Sequence, residues 1–399
     1  MKKYIAIIIA LVIGSLWAGN SIFSYEGFPV QSYGKDVYSL GMGDTGASDV
    51  FRLNTGFANP AMTDRSNKTL FATGILMGYT KYQSEYNGVK KDFRDDSLDF
   101  PYFSISVPLK QNRFSMQFNS QASGVVANQT TLPDGSVENQ TSDKYLYRAD
   151  LLYSRFYKDF SMGVGGNFYF GHDKQSFSQT GLYSFNTKEV LVRDFKNIGF
   201  SAGMLQRYRN LSVGAHVMMP VTLKGDLVRS SIHNTEAAIP YEYKLPAQYN
   251  SSATIALGEN FRIASDVSYE TWETISKQYR NTAKVGVGLA FEPDQDEQRT
   301  SLGRMPLRLG ASYRQLAFKD KAGKDIDETA LSCGLTLPLK SKISRIDLGF
   351  QYLQRGQLSQ NKLSDTSFMF MLGLTGFDII TRTKDNTAPR DIPIKEEIQ

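Results

Sequence analysis

The chain has 399 residues, with 45 Lys+Arg against 40 Asp+Glu and a formal charge of +5. That near-balance, without a dense basic run, argues against a polyanion partner and so against nucleic acid. One cysteine (Cys333) excludes an intramolecular disulfide. Three histidines (His172, His216, His233), none at ligand spacing, point to no metal and no cofactor.

The chain opens as a secretory signal. Lys2 and Lys3 form a positive start, residues 5–16 an apolar run, and Ala18 a small-residue cleavage point, so residues 1–18 are expected to be removed. The run is short for a spanning helix, and no later stretch reaches spanning length. Residues 19–66 do not alternate. They contain Gly41-Met-Gly43 and Asn59-Pro60-Ala61, and are long enough to fold back as a plug.

From residue 67 to 381 the pattern has period two, the mark of strands with one apolar face. The segments are 71–79, 103–109, 114–118, 147–153, 162–170, 198–204, 211–219, 243–257, 261–269, 285–291, 307–313, 331–337, 346–352 and 368–374. About fourteen strands, an even number, suit an antiparallel transmembrane β-barrel. Short turns (Gln111-Asn112, Lys158-Asp159, Arg209-Asn210) alternate with long polar stretches at 83–97, 122–143, 172–193 and 225–240. Such alternation predicts periplasmic turns and external loops, with the apolar face toward lipid. The barrel then lies in the outer membrane of a Gram-negative-type bacterium. Tyr153, Tyr157, Phe170, Tyr269, Phe291, Tyr313 and Tyr352 sit where interfacial girdles belong. Residues 382–399, with Pro389 and Pro393, are expected to form a solvated periplasmic tail.

These residues resemble the FadL/TodX long-chain fatty-acid and hydrocarbon transporters. The Gly41-Met-Gly43 and Asn59-Pro60-Ala61 stretches are similar to that family's N-terminal hatch. The segments at 211–220, 243–249, 261–267 and 305–310 are similar to its barrel strands. Barrels of the type IX secretion apparatus share the Gly-Met-Gly and Asn-Pro opening. The resemblance implies passive uptake of apolar molecules: landing on external loops, passage by the hatch and exit through a gap in the wall.

The candidate parts follow. Phe177, Leu182, Tyr183, Phe185, Ile232 and Ile239 are apolar residues in external loops, fit either to receive a hydrophobic ligand or to close the loops on one another. Parity puts Arg148, Arg308 and Arg314 in the lumen. There they hold a ligand carboxylate bidentately or stiffen the wall through ion pairs. Gly41, Gly43, Asn59, Pro60 and Ala61 belong to the hatch, movable or static. Pro246 interrupts an alternating strand and requires a bulge or an opening, since proline cannot donate to the ladder. A histidine-based hydrolase is disfavoured, because His172 and His233 have no nucleophile setting. The expected protein is a monomer that transports hydrophobic small molecules in contact with membrane lipid. The alternatives are a partner-binding barrel of a type IX-like apparatus, docking a periplasmic protein through its tail, and a general porin.

Overall fold

The computed structural model describes Ser21, Phe23 and residues 36–52, 54–63, 66–86, 88–181, 186–293, 302–320, 322–338 and 344–376. The signal segment and the tail fall outside the described residues. Seventeen strand segments form one sheet. They are β1 (Leu70–Tyr86), β2 (Val89–Asp99), β3 (Tyr102–Leu109), β4 (Asn112–Thr131), β5 (Val137–Phe156), β6 (Phe160–Thr180), β7 (Thr187–Tyr208), β8 (Leu211–Met218) and β9 (Val221–Ser231). β10 (Ile239–Leu245), β11 (Gln248–Leu257), β12 (Phe261–Glu270), β13 (Thr282–Phe291), β14 (Leu307–Lys319), β15 (Asp325–Pro338), β16 (Arg345–Arg355) and β17 (Leu363–Thr375) complete it. Every pairing is antiparallel, and β1 pairs with β17, from Ala72 opposite Thr375 to Ser84 opposite Leu363. The sheet is therefore a closed barrel, as the alternation predicts.

Fourteen staves account for the seventeen segments, because three staves are each built from two. The breaks fall at Phe100-Pro101, Met219-Pro220 and Pro246-Ala247. Each contains a proline, which removes a ladder donor and fixes φ.

The faces sort as period two requires. Met116, Leu151, Val164, Phe200, Val267, Val287, Leu309 and Leu331 are exposed on the outer wall. Aromatic pairs ring both ends of this apolar band. One belt includes Phe71–Phe103, Phe114–Tyr153 and Phe261–Phe291; the other includes Tyr147–Phe170 and Tyr352–Phe368. An apolar band between aromatic belts is the signature of a barrel solvated by lipid.

The long polar stretches are not loops. β4 to β7 run for 20, 20, 21 and 22 residues, where a bilayer needs only about 9–11. The ladder continues past the membrane, and β4 and β5 close in a turn at residues 132–136. Backbone pairing does not require apolar side chains once water surrounds the sheet, so polarity marks the membrane boundary and not the strand end. The result is a rim that is tall over β4 to β10. It drops at the β12–β13 connection, where a 3-10 turn (Trp272–Thr274) follows Glu270 directly.

A charge in the lipid band should be costly. Val287→Arg, in the middle of β13, is expected to lose about 2–4 kcal/mol of folding stability in lipid vesicles, measured by equilibrium refolding.

Candidate functional site

The N-terminal segment winds around the inside of the wall. Helix α1 (Val37–Gly41) is capped by Asp36, whose side chain accepts from the Ser39 N–H at 2.7 Å. Val37 and Leu40 pack on Gly349 of β16, and Gly41 on Gly334 of β15. Gly43 has φ +68°, and its N–H donates to Ser332 Oγ at 2.8 Å. A Cβ there would meet Ala311 backbone at 2.6 Å, so both the turn and the clearance require glycine. The N–H groups of Gly46 and Ala47 donate to the two Asp266 oxygens of β12, at 3.2 and 3.0 Å. Ser48 meets Thr254 of β11, Asn59 reaches β7 and β8, Ser161 of β6 donates to Ala61, and Thr63 meets Ser154 of β5. Gln117 of β4 donates to Thr55 O, and Phe57 packs edge-on against Tyr102 of β3 at 4.8 Å. Residues 36–52 and 54–63 thus form a belt that touches nearly every stave.

Asn59 and Pro60 do specific work in this belt. Asn59 Nδ2 donates to the Met204 and Ala215 carbonyls, at 3.3 Å each, while its Oδ1 accepts the Ala61 N–H at 2.9 Å. Gly203 and Gly163 leave room for them, since a Cβ at either would overlap Asn59 or Pro60.

Buried charges lock the belt. Lys284 donates to Asp44 at 2.5 Å, Arg262 to Asp49 at 3.3 Å, and Arg52 to Asp36 at 2.6 Å. Tyr38 is surrounded by guanidiniums, with Arg308 4.2 Å and Arg52 4.5 Å from its ring centre and Arg345 and Arg262 slightly further. Burial by itself would raise the Asp36 carboxyl, but the Arg52 charge and hydrogen bonds from Ser39 outweigh it and hold Asp36 below its ordinary value. Burial drives the Tyr38 hydroxyl well above its ordinary value, so it stays neutral.

The three arginines read as carboxylate binders sit in the lumen, as parity requires. Arg148 Nε pairs with Asp150 at 2.8 Å, and Arg308 Nη1 with Asp347 at 3.1 Å. Arg314 stands opposite Glu328 in the β14–β15 register. The strand carrying Arg308 and Arg314 supplies no acid, but β15 supplies Glu328 and β16 supplies Asp347.

Above the belt, the inner face of the tall rim is layered. Ala122, Leu146, Tyr169, Phe195, Leu223 and Leu245 form an inward apolar cluster. Over it lies a charge layer in which Arg193 pairs with Asp173 at 2.5 Å and stands over the Tyr241 ring. Higher still is a cavity of about 450 Å³ lined by Gln140, Gln175, Phe177, Glu189, Leu191 and Arg229, among others. Phe177 therefore lies in a cavity beside a cation, Arg229, which the sequence analysis did not single out. Ile232 and Ile239 are exposed at the β9–β10 tip. Leu182, Tyr183 and Phe185 fall outside the described residues.

The wall has two interruptions. At Pro246, β10 ends and β11 begins, alongside the Met219-Pro220 break in the neighbouring stave. This break is stitched: Met219 N–H donates to Phe200 O at 2.9 Å, and Asn197 Nδ2 to Thr222 O at 2.6 Å. At the Phe100-Pro101 break the bridging given by the described residues is confined to its foot, where Ser120 meets Pro101 O and the Asp99 side chain. β3 pairs with β4 as far as Asn119, and the Ser120 N–H reaches Pro101 O at 2.9 Å. Above that point β2 pairs with β1 and upper β4 with β5, and among the described residues no register joins β2 to β4. The wall splits there into a seam starting near the upper aromatic belt. The signal was Pro101, ahead of an alternating run, hidden because 83–97 read as a loop.

These features define a plugged fourteen-stave transmembrane barrel in which the described strands β2 and β4 share no register. The chain shares its fold with a Pseudomonas aeruginosa FadL homologue, at 13% identity and TM-score 0.62, covering 89% of this chain and 100% of that one. The Pseudomonas putida toluene transporter TodX gives 15% and 0.60, covering 85% and 97%. The Ralstonia pickettii toluene transporter TbuX gives 12% and 0.56, covering 89% and 99%. A family model described as BamG matches residues 205–379. No curated protein matches the chain.

Two measurements test the lock. Asp44→Asn takes from buried Lys284 its carboxylate partner and should weaken belt seating by about 3–5 kcal/mol, read as faster amide exchange over residues 37–52 in a folded barrel. Because the Asp36 value is lowered, its contribution is complete above the ordinary carboxylate range, near 3.9. It is lost as pH falls through the lowered value. Exchange protection of the belt, corrected for intrinsic rates, should hold from pH 7 to about 5 and fall in stronger acid. Asp36→Asn should remove that acid step.

Proposed function

We propose that this protein is an outer-membrane channel for passive uptake of hydrophobic small molecules such as long-chain fatty acids. The observation that carries the proposal is the seam between β2 and β4, which joins the lumen above the belt to the lipid side of the wall. An apolar molecule gains by leaving water for the cavity and gains again by leaving the cavity for the bilayer, so the route needs no energy source. Phe177 and Leu191 receive the tail of an amphipathic ligand, and Arg229 its carboxylate. The apolar cluster beneath borders the seam at Ala122. The similar folds of proteins titled as a FadL homologue and as toluene transporters support this reading.

The ligand leaves sideways, so the belt stays seated. Thr63 and Ser154 hydroxyls are 2.6 Å apart. In a Cys333→Ser background, joining Thr63→Cys to Ser154→Cys should leave uptake of a fluorescent fatty acid into liposomes unchanged. Abolished uptake would show that the belt must move. Pro101→Val restores a ladder donor and lets the stave run through. It should slow uptake several-fold without altering heat-modifiable migration, and an unchanged rate would remove the lateral route. Phe177→Asp should slow entry as well.

The locked belt also favours a second reading, a partner-binding barrel that docks a periplasmic protein through residues 382–399. Co-purification of such a protein, lost on deleting those residues, would support it over uptake. Sugar permeation or open-channel conductance would indicate a porin instead. The channel acts as a monomer in this proposal.

A further inference from the structure

Two rungs of the ladder cross the outer wall where the tall rim leaves the apolar band. The lower one joins Tyr147, Phe170, Lys196, Lys224 and Glu242 on β5, β6, β7, β9 and β10. Its first two residues are a ring pair of the upper aromatic belt, with centroids 5.6 Å apart. The next rung out joins Tyr145, His172, Asp194, Asp226 and Pro240 on the same strands. Ile198 and Phe200, which share the parity of Asp194 and Lys196, are exposed on the outer wall. Phe195 and Leu223, of the opposite parity, turn into the lumen cluster. The four charges on β7 and β9 therefore face outward, and all four are exposed.

Their pairing sets like against like. Lys196 stands directly opposite Lys224, and Asp194 directly opposite Asp226, in an unbroken register from Glu189 to Lys196. Residues placed so hold their Cβ atoms about 4.5–5.5 Å apart, and like charges at that spacing destabilise a sheet. Exchanging Lys224 with Asp226 would turn both rungs into favourable pairs. Nor do the diagonals, Lys196 to Asp226 and Lys224 to Asp194, relieve the repulsion. Among the described residues Lys224 reaches Glu242, at 4.0 Å, and Asp194 reaches His172, at 2.5 Å, while Lys196 and Asp226 form no ion pair. A guest with a negative group beside the lysines and a positive one beside the aspartates relieves both rungs at once.

We propose that Lys196, Lys224, Asp194 and Asp226 form a lipid-headgroup site on the outer wall, which takes a phosphoethanolamine group with its phosphate between the lysines and its ammonium between the aspartates. The height of the site argues for a lipid. Aromatic belts lie at headgroup level, and the lysine rung continues the belt. The order of the charges argues for the zwitterion. In such a headgroup the phosphate lies toward the acyl chains and the ammonium further out. Here the lysines adjoin the apolar band, and the aspartates stand two residues further along the strands, about 7 Å away. The acyl chains then lie on Ile198 and Phe200 beneath. The phosphate accepts charge-assisted hydrogen bonds from both lysines, and His172, stacked on Tyr145, steadies Asp194. A purely anionic lipid would satisfy the lysines and leave the aspartates opposed. This site is on the lipid side of the wall and stands or falls separately from uptake through the lumen.

The test uses delipidated full-length protein in detergent, free of divalent cations. Phosphatidylethanolamine, phosphatidylglycerol or phosphatidylcholine is added in equal amounts, and retained lipid is counted by native mass spectrometry. Phosphatidylglycerol lacks the ammonium, and phosphatidylcholine keeps the charge but has no N–H to donate to the carboxylates. One phosphatidylethanolamine per barrel should be retained several-fold more strongly than either of the others. Lys196→Ala/Lys224→Ala should weaken retention of phosphatidylethanolamine several-fold. Asp194→Asn/Asp226→Asn should remove the preference for it over phosphatidylglycerol. Both double variants should keep heat-modifiable migration and fatty-acid uptake. The proposal is overturned if either other lipid is retained equally by the unaltered protein, or if either double variant behaves like it. Retention that appears only when magnesium is added would also overturn it, in favour of a metal-bridged phosphate.

Discussion

Charges that fold into the middle of a barrel must find one another, because few water molecules remain there to hold them. This requirement shapes the lumen. Asp44 meets Lys284, Asp49 meets Arg262, and Asp266 receives two backbone N–H groups, in each case one partner from the belt and one from the wall. Tyr38 completes the arrangement by offering its ring to four guanidiniums and its hydroxyl to Glu292 and Arg262. No single one of these contacts stabilises much once desolvation is counted. Together they specify one seat, since shifting the belt would separate several pairs at once.

A belt seated in this way determines what the rest of the barrel can do. It closes the lower lumen, and the wall glycines facing it bring two backbones into contact without a gap. The space above is layered, with a cavity that includes Phe177 and Arg229, a charge layer at Arg193 and Asp173, and an apolar cluster around Leu146.

Prolines decide where the wall is continuous. At Met219-Pro220 and Pro246-Ala247 two neighbouring staves break at the same height, and cross-links from β7 repair the wall. At Phe100-Pro101 one stave breaks alone, and its upper half follows β1 instead of returning to β4. The two edges differ in composition, with seven charged residues among the eleven of β2 and none in β4 from Gln121 to Thr131.

Period two is written into the covalent chain, so the outer and inner faces, the stave count and the aromatic belts were all legible before any fold was known. The plug residues were legible too: Gly41, Gly43, Asn59 and Pro60 stand where backbone must approach backbone. Two things were not. Strand length escaped, because pairing beyond the membrane leaves no sustained apolar alternation in 122–143 or 172–193. Neighbourhood escaped as well. That Arg308 pairs with Asp347 two staves away, that Arg229 joins Phe177, and that β2 parts from β4 are consequences of closing the sheet, which brings together residues that no local pattern relates. A single chain carries the alternation; only the closed ring sets which edges meet.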